Sequence, residues 1–180
     1  SITVDDTGSA AIERGEAGAT FDVVTRGFQE HGTLTAGDAM GFEAGIDHEG
    51  FENEAVSGSD FAALELTSET GDIHVDARSA AVEFATANAD DREIRVHTTG
   101  IQSHGQLPGY DGVLEADGEV QLTAGDTVRF REIEAGKETD VPADGGDARI
   151  VSLDGDIMGN RIDASRDIIL RALKGNLEIE

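Results

Sequence analysis

The sequence predicts an all-β protein: a parallel β-solenoid (β-helix) with a less regular N-terminal region, a β-sandwich or jelly roll being the alternative. Three observations carry this expectation. Short apolar–polar–apolar segments recur along the 180 residues, the period of two that marks a half-buried strand. Glycine-aspartate turns part them, with 23 Gly and only two Pro, Pro108 and Pro142. In the C-terminal third the strand-turn unit returns after 20 residues, from Gly155-Asp156-Ile157 to Gly175-Asn176-Leu177. A period of that length suits stacked coils.

In chain order the strand segments are Phe21-Asp22-Val23, Leu64-Glu65-Leu66, Ile73-His74-Val75, Val82-Glu83-Phe84, Ile94-Arg95-Val96, Val120-Gln121-Leu122, Val128-Arg129-Phe130 and Leu177-Glu178-Ile179. The turns include Gly37-Asp38, Gly71-Asp72, Asp111-Gly112, Asp117-Gly118, Gly125-Asp126 and Asp154-Gly155-Asp156. Glycine supplies positive φ there and Asp supplies side-chain turn bonds. Two stretches admit a helical reading, Ser79–Asp90 and Ala164–Leu173. In the first, Ala80, Ala81, Phe84, Ala85 and Ala87 give a partial helical face. Val82 and the Thr86-Ala87-Asn88 ending assign it to strand.

Repeats set the organisation. Leu34-Thr35-Ala36-Gly37-Asp38 recurs as Leu122-Thr123-Ala124-Gly125-Asp126. Gly71-Asp72-Ile73-His74-Val75-Asp76-Ala77 repeats the C-terminal pattern upstream. The expected layout is a strand-rich cap or wrap over residues 1–55 and a repeat region over 56–180, in one structural unit. Leu66, Ile73, Val75, Ile94, Val96, Leu122, Ile168, Leu170, Leu177 and Ile179 are the expected inward ladder.

The run Gly155-Asp156-Ile157, Ile162-Asp163-Ala164, Asp167-Ile168-Ile169-Leu170-Arg171-Ala172 and Gly175-Asn176-Leu177-Glu178-Ile179 resembles the repeats of filamentous-haemagglutinin-type adhesins. It is similar, more loosely, to the polymer-forming bactofilins. The resemblance covers the last 30 residues well and Ser57–Phe130 loosely; the first 55 do not match. With the Lys-poor, acid-rich bias the chain looks haloarchaeal. The resemblance implies a structural or adhesive role, with the cell surface favoured over the cytoplasm.

Charge points to habitat. The chain has 38 Asp+Glu against 13 Lys+Arg, a formal net charge of −25. Such a surface repels itself in dilute buffer, and at molar salt the Debye length falls to about 3 Å. The expected setting is therefore very high salt, with bulk K⁺ or Na⁺ between acidic faces. The absence of cysteine excludes disulfides, thiolate metal sites and a Cys nucleophile. No apolar run approaches the ~20 residues of a membrane span, so no membrane insertion is expected. Neither a signal-peptide core nor an Asn-X-Ser/Thr sequon occurs.

Little chemistry is encoded. Asp154, Asp156, Asp144 and Asp147 are weak Ca²⁺ candidates, with Asp90-Asp91 and Asp111/Asp117 behind them. Ca²⁺ takes six to eight oxygens, and none of these pairs has the EF-hand spacing. Gly145-Gly146-Asp147 holds only part of the glycine-rich calcium nonapeptide. A solvated acidic face is the plainer reading. Paired carboxylates also serve glycosidases, but one Tyr and no Trp leave no aromatic sugar platform. The histidines are His31, His48, His74, His97 and His104, without a ligand spacing. His74 and His97 occupy polar mid-strand positions and come near each other if the coils stack. Gly58-Ser59-Asp60 lacks the Gly-X-Ser-X-Gly of a nucleophile elbow. Phosphate loops are missing, and a polyanion finds no basic surface here. No catalytic residue and no cofactor are expected.

Leu177-Glu178-Ile179-Glu180 predicts a strand that runs to the last residue. An uncapped coil end is a template for another chain. The expected function is a non-enzymatic structural protein that self-assembles into a filament or surface layer, with Leu177, Ile179, Ile168 and Leu170 at the contact. The alternatives are a surface adhesin or binding module for carbohydrate or Ca²⁺, and an acidic decoy of a basic partner.

Overall fold

The computed structural model describes residues 1–6, 8–44, 61–77, 81–89, 92–106, 112–136 and 146–180. These form seventeen strands and, among the described residues, no helix. They are β1 (Ile2–Asp6), β2 (Ala10–Ala17), β3 (Phe21–Thr25), β4 (Gln29–Ala36), β5 (Met40–Ala44), β6 (Phe61–Ser68), β7 (Ile73–Ala77), β8 (Val82–Ala89) and β9 (Ile94–Thr98). After them come β10 (Gln102–His104), β11 (Val113–Ala116), β12 (Val120–Ala124), β13 (Val128–Ala135), β14 (Ala148–Ser152), β15 (Ile157–Ala164), β16 (Ile168–Ala172) and β17 (Leu177–Ile179). The all-β expectation holds, and the strand assignment for Ser79–Asp90 corresponds to β8. Ala164–Leu173 holds the end of β15, a turn and β16.

The strands lie in two parallel sheets, ordered β1-β3-β5-β7-β9-β12-β14-β16 and β17-β15-β13-β10-β8-β6-β4-β2, with β11 beside β13 and β8. A parallel pair needs a long crossover. Here each crossover is a strand of the other sheet, so no helix is required. One strand from each sheet makes a rung. Ile2, Phe21 and Met40 stand in register nineteen residues apart; Ile73 and Ile94, and Ala148 and Ile168, are twenty-one and twenty apart. Longer steps coincide with residues 45–60, 107–111 and 137–145, which lie outside the described residues. The expected boundary at 55/56, Gly58-Ser59-Asp60 and His48 lie there too, or in the same gaps. On either side of it, β4 pairs β6 and β5 pairs β7 over full strand lengths.

The eight-residue strands turn a corner. In β6 the inward residues are the first, third, sixth and eighth, leaving two consecutive outward residues. Pairing skips the fourth position in every such strand, as between Glu13 and Gly32. The plain alternation Leu64-Glu65-Leu66 therefore fails at its first member. Leu64 sits at the corner, 37% exposed, while Leu66 is sealed. A Cβ on Gly32 would come 1.9 Å from the Glu13 carbonyl oxygen, so that corner of the stack needs glycine. Where the sheets meet, the last inward residue is small: Ala44, Ala77 and Ala124 on one sheet, Ala36, Ala89 and Ala116 on the other. Of the alanines within Ser79–Asp90, Ala85, Ala87 and Ala89 are fully buried in β8.

Between the sheets lies one continuous core. Phe21, Phe42, Phe61 and Phe84 run through it with neighbouring ring centroids 5.1–6.4 Å apart. Aromatic pairs at such separations add to their burial energy. Leu66, Ile73, Val75, Ile94, Val96 and Leu122 are buried as expected.

Two serines close turns of the same build. In Ser68-Glu69-Thr70-Gly71-Asp72 the Ser68 hydroxyl reaches the Asp38 and Gly71 carbonyls and accepts from Gly71 N–H. In Ser152-Leu153-Asp154-Gly155-Asp156 the Ser152 hydroxyl lies 2.7 Å from both the Asp126 and Gly155 carbonyls and accepts from Gly155 N–H at 3.1 Å. One of the two carbonyls belongs to the rung before, so the hydroxyl ties rungs together. Ser152→Ala leaves buried backbone groups without this partner. The expected loss is about 1–3 kcal/mol, read as a lower denaturant midpoint at unchanged slope.

Candidate functional site

Sequence reasoning put its contact residues on the last two strands, and there the core comes to the surface. Ile168 and Leu170 of β16, and Leu177 and Ile179 of β17, continue inward columns. Ile168 stacks on Ala148, Leu170 on Ile150, Leu177 on Ile157 and Ile179 on Gly159. In the middle of the stack these columns are closed, and at β1 and β2 they are half-buried at Ile2, Val4 and Ile12. On the last two strands Ile168 is 50%, Leu177 53% and Ile179 41% exposed, and Leu170 is half-buried. As members of a sealed ladder these residues are corrected: they hold the inward register, but no rung within the chain covers them. Leu153 and Leu173 add exposed apolar surface on stacked turns nearby.

The charge there is also distinct. Residues 161–180 carry Arg161, Arg166, Arg171 and Lys174 against Asp163, Asp167, Glu178 and Glu180, so they are neutral in a chain of −25. Arg161 gathers Glu132, Glu134 and Asp163, and Lys174 meets Asp154. Exposed pairs of this kind contribute little individually. Their consequence is local: this end lacks the repulsion that the rest of the surface carries.

The calcium candidates are engaged otherwise. Asp156 Oδ1 accepts the Asn176 backbone N–H at 2.7 Å, and Asp147 Oδ1 that of Asp167 at 3.2 Å. Asp72 does the same for Glu93 at 3.2 Å. Each of these Asp residues precedes a strand and caps the equivalent position one rung later, the role in which short acidic side chains compete for backbone donors. Asp154 meets Lys174. Asp144, Asp90-Asp91 and Asp111 lie outside the described residues; Asp117 sits in the turn after β11. Among the described residues no group of three or more His, Asp and Glu is placed to hold a metal ion.

His74 and His97 do lie on neighbouring strands, but a residue pair out of step. His74 stands opposite Arg95, and Asp76 opposite His97. His97 Nδ1 is 3.0 Å from Asp76 Oδ1, with the imidazole about half exposed. A shallow depression of about 220 Å³ lies here, lined by His74, Arg95, His97, Gln121 and Thr123. A second, of about 480 Å³, lies over Ala62, between Glu13, Leu64, Glu30 and Glu83. Both are open troughs on the outer surface, unlike the concave sites that enclose ligands.

Sequence reasoning missed a duplicated polar device inside the core. Gln29 Nε2 donates to the Val23 carbonyl (3.2 Å), the Thr25 hydroxyl (3.1 Å) and the Glu43 carbonyl (2.9 Å). Its Oε1 faces His31 Nε2 at 3.0 Å. Gln102 repeats this, with Nε2 on the Val96 and Thr123 carbonyls and Oε1 3.1 Å from His104 Nε2. Because both amide oxygens must accept, both rings carry their proton on Nε2. The two Nδ1 atoms are buried without a partner. Burial pushes His31 down to about 4 and His104 to about 3. The signal was present: Val23-X-Thr25-X-Gly27-Phe28-Gln29-X-His31-Gly32 recurs as Val96-X-Thr98-X-Gly100-Ile101-Gln102-X-His104-Gly105. These side chains join the two sheets and are almost wholly buried, with His31 among the residues that line the depression over Ala62.

No helix among the described residues is long and apolar enough to cross a membrane. No protein family, curated protein or solved structure matches this chain.

Proposed function

We propose that this chain is a structural protein of a high-salt setting, a parallel β-solenoid that self-assembles through the ends of its stack into a filament or surface layer. The solenoid reading is supported by the alternation of strands between two parallel sheets, interrupted where the consecutive strands β10 and β11 lie end to end between β8 and β13. The assembly reading is carried by one observation: Ile168, Leu177 and Ile179 hold core positions yet are 41–53% exposed. Fully burying an exposed side chain of this size is worth roughly 1.5–3 kcal/mol, of which about half remains to be gained at each of these sites, and unpaired strand edges beside them offer backbone bonds to a second chain.

The acidic surface makes this assembly depend on salt. Copies at −25 repel one another over long range in dilute buffer. In about 2 M KCl that repulsion is almost fully screened, and the apolar ends decide. Electron microscopy and sedimentation on the two sides of this salt range test the reading. Regular assemblies that form at high salt and disperse on dilution are expected. A particle that stays monomeric at high protein concentration in 2 M salt, a concentration of about that order being where screening is complete, overturns it.

A further inference from the structure

We propose that His97 and Thr123, with Asp76 as positioning residue, form an acyl-transfer site that acts on carboxylic esters. It lies on the outer face of the sheet that holds β7, β9 and β12, and it goes beyond the structural role. Parallel stacking sets the three residues in one outward column. Asp76 of β7 stands opposite His97 of β9, and His97 opposite Thr123 of β12. They come from three different rungs, so only the fold brings them together. Neighbouring strands lie about 4.8 Å apart.

Each member has the surroundings its role needs. Asp76 Oδ1 lies 3.0 Å from His97 Nδ1, and the Asp76 side chain is 21% exposed against 51% for the imidazole. The carboxylate is the better-held partner. It only accepts, so it keeps the ring proton on Nδ1 and leaves Nε2 as the base. Nε2 lies on the side of the ring away from Asp76, and β12 flanks β9 on the side opposite β7. Thr123 alternates with the buried Leu122 and Ala124, so its hydroxyl is outward. Carboxylate, imidazole and hydroxyl in this order make a nucleophilic triad, which is recognised by geometry and role. His97, Thr123, Arg95 and Gln121 line one depression of about 220 Å³. Gln121 stands opposite Arg95, and their N–H groups are the donors for a carbonyl oxygen that gains charge. Arg95 also meets Glu93, which engages only part of its five-donor fork.

Thr123 Oγ1 bonds to the acyl carbon as its proton passes to His97 Nε2. The C–O bond to the alcohol then breaks, and the leaving oxygen takes that proton. Water repeats both steps on the acyl-threonine, so ester and water become acid and alcohol. The imidazole is about half exposed, and solvent screens the charges around it. That favours esters with a good leaving group over amides. The depression is open, which suits an ester carried on an extended chain.

The probe is p-nitrophenyl acetate in about 2 M KCl, where surface charge is screened. Release of p-nitrophenol should exceed that by free N-acetylhistidine at equal concentration, and acid-quenched protein should carry acetyl on the peptide that holds Thr123. Thr123→Ala and His97→Gln should each lower the excess rate about a hundredfold, the lower end for positioned proton transfer, while Thr123→Ser keeps it. Asp76→Asn lets the ring take the wrong tautomer, so it should lower kcat and leave KM in place. All three side chains are outward, and equal denaturation midpoints show that the variants keep the fold. A rate that survives Thr123→Ala, or acetyl found only on other residues, overturns the proposal.

Discussion

Phe84→Ala should lower the stability of the fold by about 3–5 kcal/mol, the range for emptying a large aromatic site in a close-packed core. Phe84 is fully buried on β8, edge-on to Phe61 at 5.6 Å and stacked on His104 at 4.7 Å. Its neighbours cannot close the gap. The columns on either side are held by parallel pairing of β8 to β6, β10 and β11. The cavity therefore opens in the middle of the stack. Leu64→Ala is the contrasting change. Alternation in the sequence makes Leu64 a core residue, but the corner of β6 turns it to solvent, so its loss should stay within about 0.5 kcal/mol. Chemical denaturation of the two variants separates the cases. A Leu64 effect as large as the Phe84 effect would show that the corner is misplaced.

That pair of residues also shows what a sequence reveals about such a fold. Strand positions were legible because each inward residue must be apolar wherever two sheets enclose a core, and Ile73-His74-Val75 or Ile94-Arg95-Val96 state it plainly. Corners were not legible, because a corner inserts one unpaired residue and changes the phase without any fixed residue type: Glu13, Gly32 and Leu64 stand there, and in β8 the buried Ala85. The repeat Leu34–Asp38 and Leu122–Asp126 is likewise local. The first closes β4 and the second β12, in different sheets, because a Leu-Thr-Ala end followed by Gly-Asp suits any strand that must enter a tight turn. At the candidate site the inward register of Ile168, Leu170, Leu177 and Ile179 was legible from the alternation, but not how far each is exposed. The neutral charge of their end was masked by a total of −25, although Arg161, Arg166, Arg171 and Lys174 already cluster within the last twenty residues of the sequence. The Gln–His pairs were hidden for another reason. Polar residues at inward positions contradict the alternation rule, and only the cross-core bonds to the opposite sheet explain why they are tolerated.

Those pairs predict an acid-sensitive fold. His31 and His104 are neutral in the folded chain, with values pushed by burial to about 4 and about 3, whereas the unfolded chain protonates near 6.5. Below that value the unfolded state binds more protons, so stability falls as pH falls. Each histidine contributes a slope of about 1.4 kcal/mol per pH unit between the unfolded and folded values. The full loss is roughly 3 kcal/mol for His31 and roughly 5 kcal/mol for His104. Carboxylates titrate lower, and their protonation relieves self-repulsion, so the histidine effect is clearest from pH 6.5 to 5 in about 2 M salt, where charge repulsion is screened. The stack itself supplies the control. The rungs on either side of Gln102 and His104 carry Val82 with Phe84, and Val128 with Phe130, at the same two positions. Gln102→Val with His104→Phe therefore places a pair that already fits these columns. It removes one buried titrating group, and in denaturation measured at pH 6.5, 6 and 5 it should halve the acid slope. A slope identical to that of the unmodified chain would mean that His104 is not what the acid reaches.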